Sequence, residues 1–256
     1  MKIVTIANQK GGVAKTTTAW HLGIGLSRKR KRILFVDLDP QSNLSFNANV
    51  DLLNMEHTLF DVFKKTAAVE DILISIDDNI DILVGGLDLA AADREFTQLS
   101  REKMLGKALK QLDDNYDYCI IDTPPTLGVM AENALTCSDY LVIPMQSEIY
   151  ALQGINQLLG FIQDIQENTN PDLKILGILI TRAKPHTNIY EVMYPQLVKV
   201  AKQMDTKVFK TVIRNTVGVD EAALERGNLY DNKPNATATE DYKNFVEEFL
   251  KAAKKK

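Results

Sequence analysis

Cysteine is almost absent from this chain: Cys119 and Cys137 are the only two in 256 residues. Neither lies in a Cys-x-x-Cys pair or another metal-ligand spacing, which argues against disulfide scaffolds, zinc modules and cysteine-held clusters. Both have apolar neighbours in sequence and are expected in the core. Histidine is nearly as scarce, and His21, His57 and His186 are too far apart in sequence to suggest a metal set. No run approaches ~18 uninterrupted apolar residues, so no membrane-spanning helix is expected. The opening residues, 1–7, are too short for the apolar stretch of a signal peptide and read as a strand. With few thiols and no leader, a reducing cytoplasm is the expected setting. Positive charge is not in excess either. The net charge of −4 gives the molecule as a whole no electrostatic claim on nucleic acid. Internal repeats and Pro/Gly-rich linkers are missing, and the single tryptophan, Trp20, is expected in the core.

What is present is an ordinary globular composition, 45% hydrophobic and 25% charged. Short apolar runs at 3–7, 33–37, 80–84, 118–122, 140–144 and 173–181 read as strands, with a further one at 208–213. Several are apolar throughout, as strands covered on both faces are. Helical patterns fall between them at 16–30, 97–112, 128–137, 151–167, 188–204 and 240–253, with a short helix near 59–64. This alternation predicts an α/β fold, a doubly wound and mostly parallel sheet flanked by helices, with residues 1–256 forming a single domain.

The turn between the first strand and first helix carries the chemistry. It reads Asn8-Gln9-Lys10-Gly11-Gly12-Val13-Ala14-Lys15-Thr16-Thr17. Glycine-rich backbone beside a helix N-terminus can turn its N–H groups onto phosphate oxygens. Lys15 then neutralises phosphate charge, and the Thr16 hydroxyl can ligate Mg²⁺. The usual P-loop pattern has glycine where this chain has Gln9 and Ala14. Ala14 is innocuous at negative φ, but at positive φ it is strained and weakens nucleotide binding. Two further segments end strands in carboxylates: Asp37-Leu38-Asp39-Pro40 and Asp122-Thr123-Pro124-Pro125. Strand ends of an open α/β sheet face its ligand crevice, so these carboxylates can approach a Mg²⁺-nucleotide.

The segment "KGGVAKTTT" resembles the deviant Walker A loop, in which an extra lysine precedes the glycine pair. "DLDPQ" resembles the Walker A′ segment of the same proteins, and "YDYCIIDTPPT" their Walker B strand and switch. Residues 140–155 and 173–182 match two later stretches. In this order the motifs identify a resemblance to the ParA/Soj partition ATPases over nearly the whole chain. It is to their short form, which lacks the helix-turn-helix region that precedes the P-loop in longer relatives, so repression of its own promoter is not expected. The resemblance implies ATP and Mg²⁺ as cofactors and slow hydrolysis of ATP to ADP and phosphate, stimulated by a partner. Lys10, Gly11, Gly12, Val13, Ala14, Lys15, Thr16 and Thr17 would hold the phosphates. Lys15 would serve the nucleotide of its own subunit, while Lys10 reaches across a homodimer to the other. Asp39 would position the attacking water, and Asp37 would support the Mg²⁺ environment. Thr16, Asp39 and Asp122 would form the Mg²⁺ set. Arg182 and Asn215 are the candidates near the adenine. There the chain departs from an Ile-Pro-x-Asn-like family segment and reads Ile213-Arg214-Asn215-Thr216.

Residues 173–215 carry eight lysines and arginines against Glu191 and Asp205. Such asymmetry in an acidic chain marks a candidate surface for DNA phosphates, with Lys184, Lys199, Lys202, Lys210 and Arg214 as the contacts. The ParA/Soj resemblance implies nonspecific DNA binding by the ATP dimer, a centromere-binding ParB-like partner and association with the nucleoid. The last helix has Tyr242, Phe245, Val246 and Phe249 on one face. Packing on the sheet accounts for that stripe, and so would membrane targeting in a MinD-like positioning ATPase. Its four acidic residues disfavour anionic lipid, and no membrane partner is expected. A P-loop metabolic enzyme is the third class.

Overall fold

The computed structural model describes residues 1–146, 154–185 and 187–254. Its strands are β1 (Lys2–Ile6), β2 (Ile33–Asp37), β3 (Leu73–Asp77), β4 (Ile80–Val84), β5 (Tyr118–Asp122), β6 (Tyr140–Gln146), β7 (Lys174–Ala183) and β8 (Val208–Arg214). Its α-helices are α1 (Lys15–Ser27), α2 (Asn43–Asn47), α3 (Leu59–Lys64), α4 (Ala92–Glu95), α5 (Met104–Leu109), α6 (Val129–Cys137), α7 (Ile155–Asn168), α8 (Asn188–Gln203), α9 (Val217–Leu224), α10 (Leu229–Asn232) and α11 (Thr237–Lys254). One eight-stranded sheet runs in the order β3-β4-β2-β5-β1-β6-β7-β8. Every neighbouring pair is parallel except β3 with β4.

The uninterrupted apolar strands are covered on both faces, as parallel strands must be. In β2 every residue is buried. Ile33 and Phe35 face a core shared with α1 and α11. Leu34 and Val36 face the opposite core, which also takes Leu105, Met130 and Ala134 of α5 and α6. Beyond β1 that opposite layer continues with Leu158, Ile162 and Leu197 of α7 and α8. Helix α1 lies close on β2 because Gly23 has no side chain; a Cβ there would meet the Phe35 ring at 2.2 Å. The apolar stripe of α11 is spent on the core, with Tyr242, Phe245 and Phe249 fully buried. The same helix caps the outer edge of β8. Glu248 accepts the Lys210 and Thr211 N–H groups, and Asp241 accepts that of Arg214. An edge strand capped in this way offers less to another chain.

Several expectations are corrected. The helix expected at 97–112 is broken into a 3₁₀ turn at Arg101–Lys103, α5, and a second 3₁₀ turn at Lys110–Asn115. Ser100 adopts a left-handed φ of 65°, which no α-helix can run through. Strand β3 is an addition. It is short, half-exposed and bulged between Ser75 and Asp77, so its apolar run is weak. Helix α9 is also an addition, since Gly218, Ala222 and Ala223 leave it without a strong apolar stripe. The expected helix start at residues 151–153 and the motif residues 147–153 lie outside the described residues, as does His186. Cys119 is in the core, whereas Cys137 is only half-buried.

Candidate functional site

The order of the sheet reverses at β1, which sits between β5 and β6. The crevice beyond the carboxyl end of such a strand is where open α/β sheets bind ligands, and the glycine loop leaves β1 there. The loop is anchored from below. Val13 is buried, and its carbonyl accepts from the Thr181 hydroxyl at 3.0 Å. Gln146 Nε2 donates to the Gly12 carbonyl at 2.9 Å, and Arg182 Nη1 approaches the same oxygen at 3.5 Å. Gly12 has φ +74°, and nothing lies within 4 Å of where a Cβ on Gly11 or Gly12 would be. The upper side of the loop is therefore bare backbone. Ala14 has φ 62° and ψ 38° and caps α1. This left-handed conformation settles the alternative left open by the sequence on the strained side.

Lys15 is buried at the start of α1, and its Nζ donates to the Lys10 carbonyl at 3.2 Å. Burial pulls its pKa down, and the Asp122 and Asp39 carboxylates oppose that shift. The Thr16 hydroxyl donates to Asp122 Oδ2 at 2.6 Å. Asp122 is fully buried and its Oδ1 has no hydrogen-bond partner. Burial, and then the charge of Asp37, push its pKa well above the usual carboxylate range. A buried carboxylate oxygen left without a partner is costly unless a cation belongs beside it. No three or more His, Cys, Asp or Glu side chains meet as a metal cage among the described residues. A Mg²⁺ ion that takes one or two carboxylates, one hydroxyl and phosphate oxygens fits this donor set. Asp39 is buried at the same crevice, with Oδ1 accepting the Gln41 N–H at 3.0 Å. Asp37 stands behind it. One oxygen accepts from the Asp39 N–H and the other from the Ser45 N–H and hydroxyl. Burial raises Asp37 to about 6. One oxygen thus holds the Asp39 turn and the other holds α2, which leaves Asp37 behind the site as a support for Asp39.

A cleft of about 560 Å³ opens from the loop and brings Gly11, Gly12, Ala14, Lys15, Thr16, Thr17 and Asp39 together with Arg182 and Asn215. Its far wall comes from Val219, Ala223 and Leu224 of α9, and Phe46 of α2 lines it as well. These wall residues escaped the sequence reading because no motif marks them. Gln146 was visible only as part of a matched stretch. The DNA candidates Lys184, Lys199, Lys202 and Lys210 are exposed. Arg214 differs from them: its guanidinium pairs with Asp241 through Nε and Nη2, the latter at 2.6 Å. It lines the cleft and holds β8 to α11.

A bare glycine loop at the switch point of a parallel sheet, with a buried lysine, a helix-starting threonine and a strand-end aspartate, defines a P-loop nucleotide-binding protein. Comparison with known proteins narrows the class. A family described as an AAA domain, AAA_31, matches residues 1–175. Sporulation initiation inhibitor protein Soj of Bacillus subtilis (strain 168) is 39% identical over 249 residues, which is 96% of this chain and 97% of Soj. Chromosome partitioning protein ParA of Myxococcus xanthus (strain DK1622) is 35% identical, over 86% of this chain and 77% of that protein. A crystal structure of cobyrinic acid a,c-diamide synthase from Mycobacterium smegmatis, with bound ATP analog and magnesium, superimposes with a TM-score of 0.86. It is 32% identical to this chain and covers 100% of it, and 96% of that chain is covered. The chain belongs to the AAA_31 family of P-loop ATPases and is of the ParA/Soj type.

Proposed function

We propose that the protein is a DNA-segregation ATPase of the cytoplasm, working as a switch between a free state and an ATP-bound homodimer on the nucleoid. The observation that carries this reading is the pairing of Lys10 and Lys15 on one anchored loop, with the buried, unpartnered Asp122 oxygen at its foot. Lys10, Lys15, Thr16 and the loop backbone would bind the phosphates of ATP. Thr16, Asp39 and Asp122 would hold Mg²⁺, which when bound neutralises phosphate charge. Asp39 would orient the attacking water, and Lys10 would stabilise transition-state charge in the partner subunit, as an arginine finger does. Arg182 and Asn215 line the same cleft and would face the adenine. Exposed Lys184 just after β7, Lys199 and Lys202 on α8 and Lys210 on β8, with Arg214 beside them and all doubled by a dimer, would engage DNA phosphates without reading sequence. A ParB-like partner would stimulate hydrolysis and release the dimer.

The buried apolar face of α11 speaks against the MinD-like alternative, because that face is not offered to a bilayer. The likeness to a synthase favours one competing reading, an ATP-dependent metabolic enzyme. DNA binding measured with ATP, with ADP and without nucleotide, across a salt series and with mass determination, tests the proposal. Salt-sensitive binding by a dimer only with ATP is the expected result. An ATP dimer that ignores DNA, or turnover of a carboxylate substrate, would overturn it.

A further inference from the structure

Lys10 lies in the loop, and its main chain is held from both directions. Its carbonyl accepts from Lys15 Nζ at 3.2 Å. Its N–H donates to Asn8 Oδ1 at 3.0 Å. The other end of the Asn8 amide, Nδ2, donates to the Pro144 carbonyl at 2.7 Å. The orientation of this amide follows from chemistry, since a carbonyl only accepts and an N–H only donates. Asn8 is itself buried.

The reason lies in how β1 ends. The β1–β6 ladder stops at Ile6 opposite Val142, with one more bond from the Ala7 N–H to the Val142 carbonyl. In a parallel ladder the next acceptor on β6 is the Pro144 carbonyl. The chain has by then left the sheet to make the loop, and the Asn8 side chain takes the place of the missing main-chain donor. The same amide turns back to hold Lys10. One side chain thus ties the point of departure from the sheet to the position of that lysine.

The rest of the loop is anchored by other groups. Gln146 holds Gly12, and Thr181 holds Val13. Lys15 and Thr16 are fixed by α1. Apart from the Lys15 Nζ bond to the Lys10 carbonyl, the part that cradles phosphate and the part that carries Lys10 have different anchors. From this we propose that Asn8 is a positioning residue for Lys10, setting where its ammonium points without contacting nucleotide itself. This rests on the role in trans given to Lys10 above. Catalytic geometry is sensitive to small displacements, and an error of ~1 Å can cost about 100-fold in rate.

A double-mutant cycle over Asn8→Ala and Lys10→Ala tests it, with kcat and KM for ATP in Mg²⁺ and the Kd for ADP measured on each protein. Asn8→Ala is expected to lower kcat by about 10- to 100-fold while leaving the Kd for ADP within about twofold of wild type. Unchanged ADP affinity also certifies that the loop is folded. If Asn8→Ala does not fold, Asn8→Ser carries the same test, because its hydroxyl is too short to span Pro144 and Lys10 together. In the Lys10→Ala background the Asn8 change should cost nothing more, because the residue it positions is gone. An equal further loss in that background, a parallel loss of ADP affinity, or an unchanged kcat in the single variant would each overturn the proposal. Wild-type hydrolysis by Lys10→Ala alone would instead remove the role in trans on which the proposal stands.

Discussion

Acid should weaken this fold through His21, and the size of the effect follows from its contacts. The ring is buried and stacked on Tyr242, with centroids 4.8 Å apart. Its Nδ1 lies 2.8 Å from the Thr17 carbonyl and its Nε2 accepts the Leu229 N–H at 3.0 Å. These partners fit one state only, with the proton on Nδ1. A proton on Nε2 would face an N–H donor. Burial therefore pushes the pKa down from 6.5 to about 4, against a smaller pull from the Thr17 carbonyl. Between those values the unfolded chain binds a proton that the folded chain refuses. Stability is complete above pH 6.5 and is lost as pH falls toward 4, by about 3 kcal/mol in all. Asp37 acts in the opposite sense: raised from 3.8 to about 6, it makes the folded state the better proton acceptor over much of the same window. Its relief on acidification is also about 3 kcal/mol, so the wild-type curve alone masks both. Urea unfolding of wild type and His21→Gln at pH values from 7 to 4 separates them. The stability advantage of wild type should shrink by about 3 kcal/mol across that range. An advantage that does not change with pH would refute the reasoning.

Other expectations concern the loop and its carboxylates. Ala14→Gly removes a left-handed alanine, worth about 1–2 kcal/mol, against about 0.4–1 kcal/mol of added freedom in the unfolded chain. A net gain of roughly 0.5 kcal/mol in chemical denaturation is expected, and a loss would show that residue 14 is not left-handed. Asp122→Asn should raise the stability of the nucleotide-free protein, since burial and the Asp37 charge disfavour an ionised carboxylate there, yet reduce the added stability given by Mg²⁺ with ATP. Thermal melts with and without both would contradict this if the two effects had the same sign. Asp39→Ala should still dimerise with ATP but remain on DNA, and wild-type turnover by that variant would end its assigned role.

Much of this was legible in the sequence because the signals are local. The unbroken apolar run 33–37 gave its own strand boundaries, and Asp37 and Asp122 stand at strand ends where a reader of such runs places them. Other features depend on distant partners. Nothing near Arg214 in sequence says that Asp241 will take its guanidinium. Nothing near Asp37 says that Ser45 will occupy one of its oxygens. Helix α9 supplies a wall of the cleft with small and scattered apolar residues, a pattern that periodicity cannot resolve. Ala14 gave two readings in sequence, and only the backbone dihedral separates them.

The central claim is that Lys10 completes a site in the other subunit, and mixing two inactive variants tests it most directly. Lys10→Ala keeps its own Asp39 but gives its partner no lysine. Asp39→Ala offers a lysine but cannot position water in its own site. A heterodimer of the two holds one complete site if Lys10 acts in trans. Equal mixing should then restore hydrolysis to about a quarter of the wild-type rate per chain, since half the dimers are mixed and each has one working site. Hydrolysis no greater than the sum of the separate variants, with heterodimers present by mass, would contradict the account.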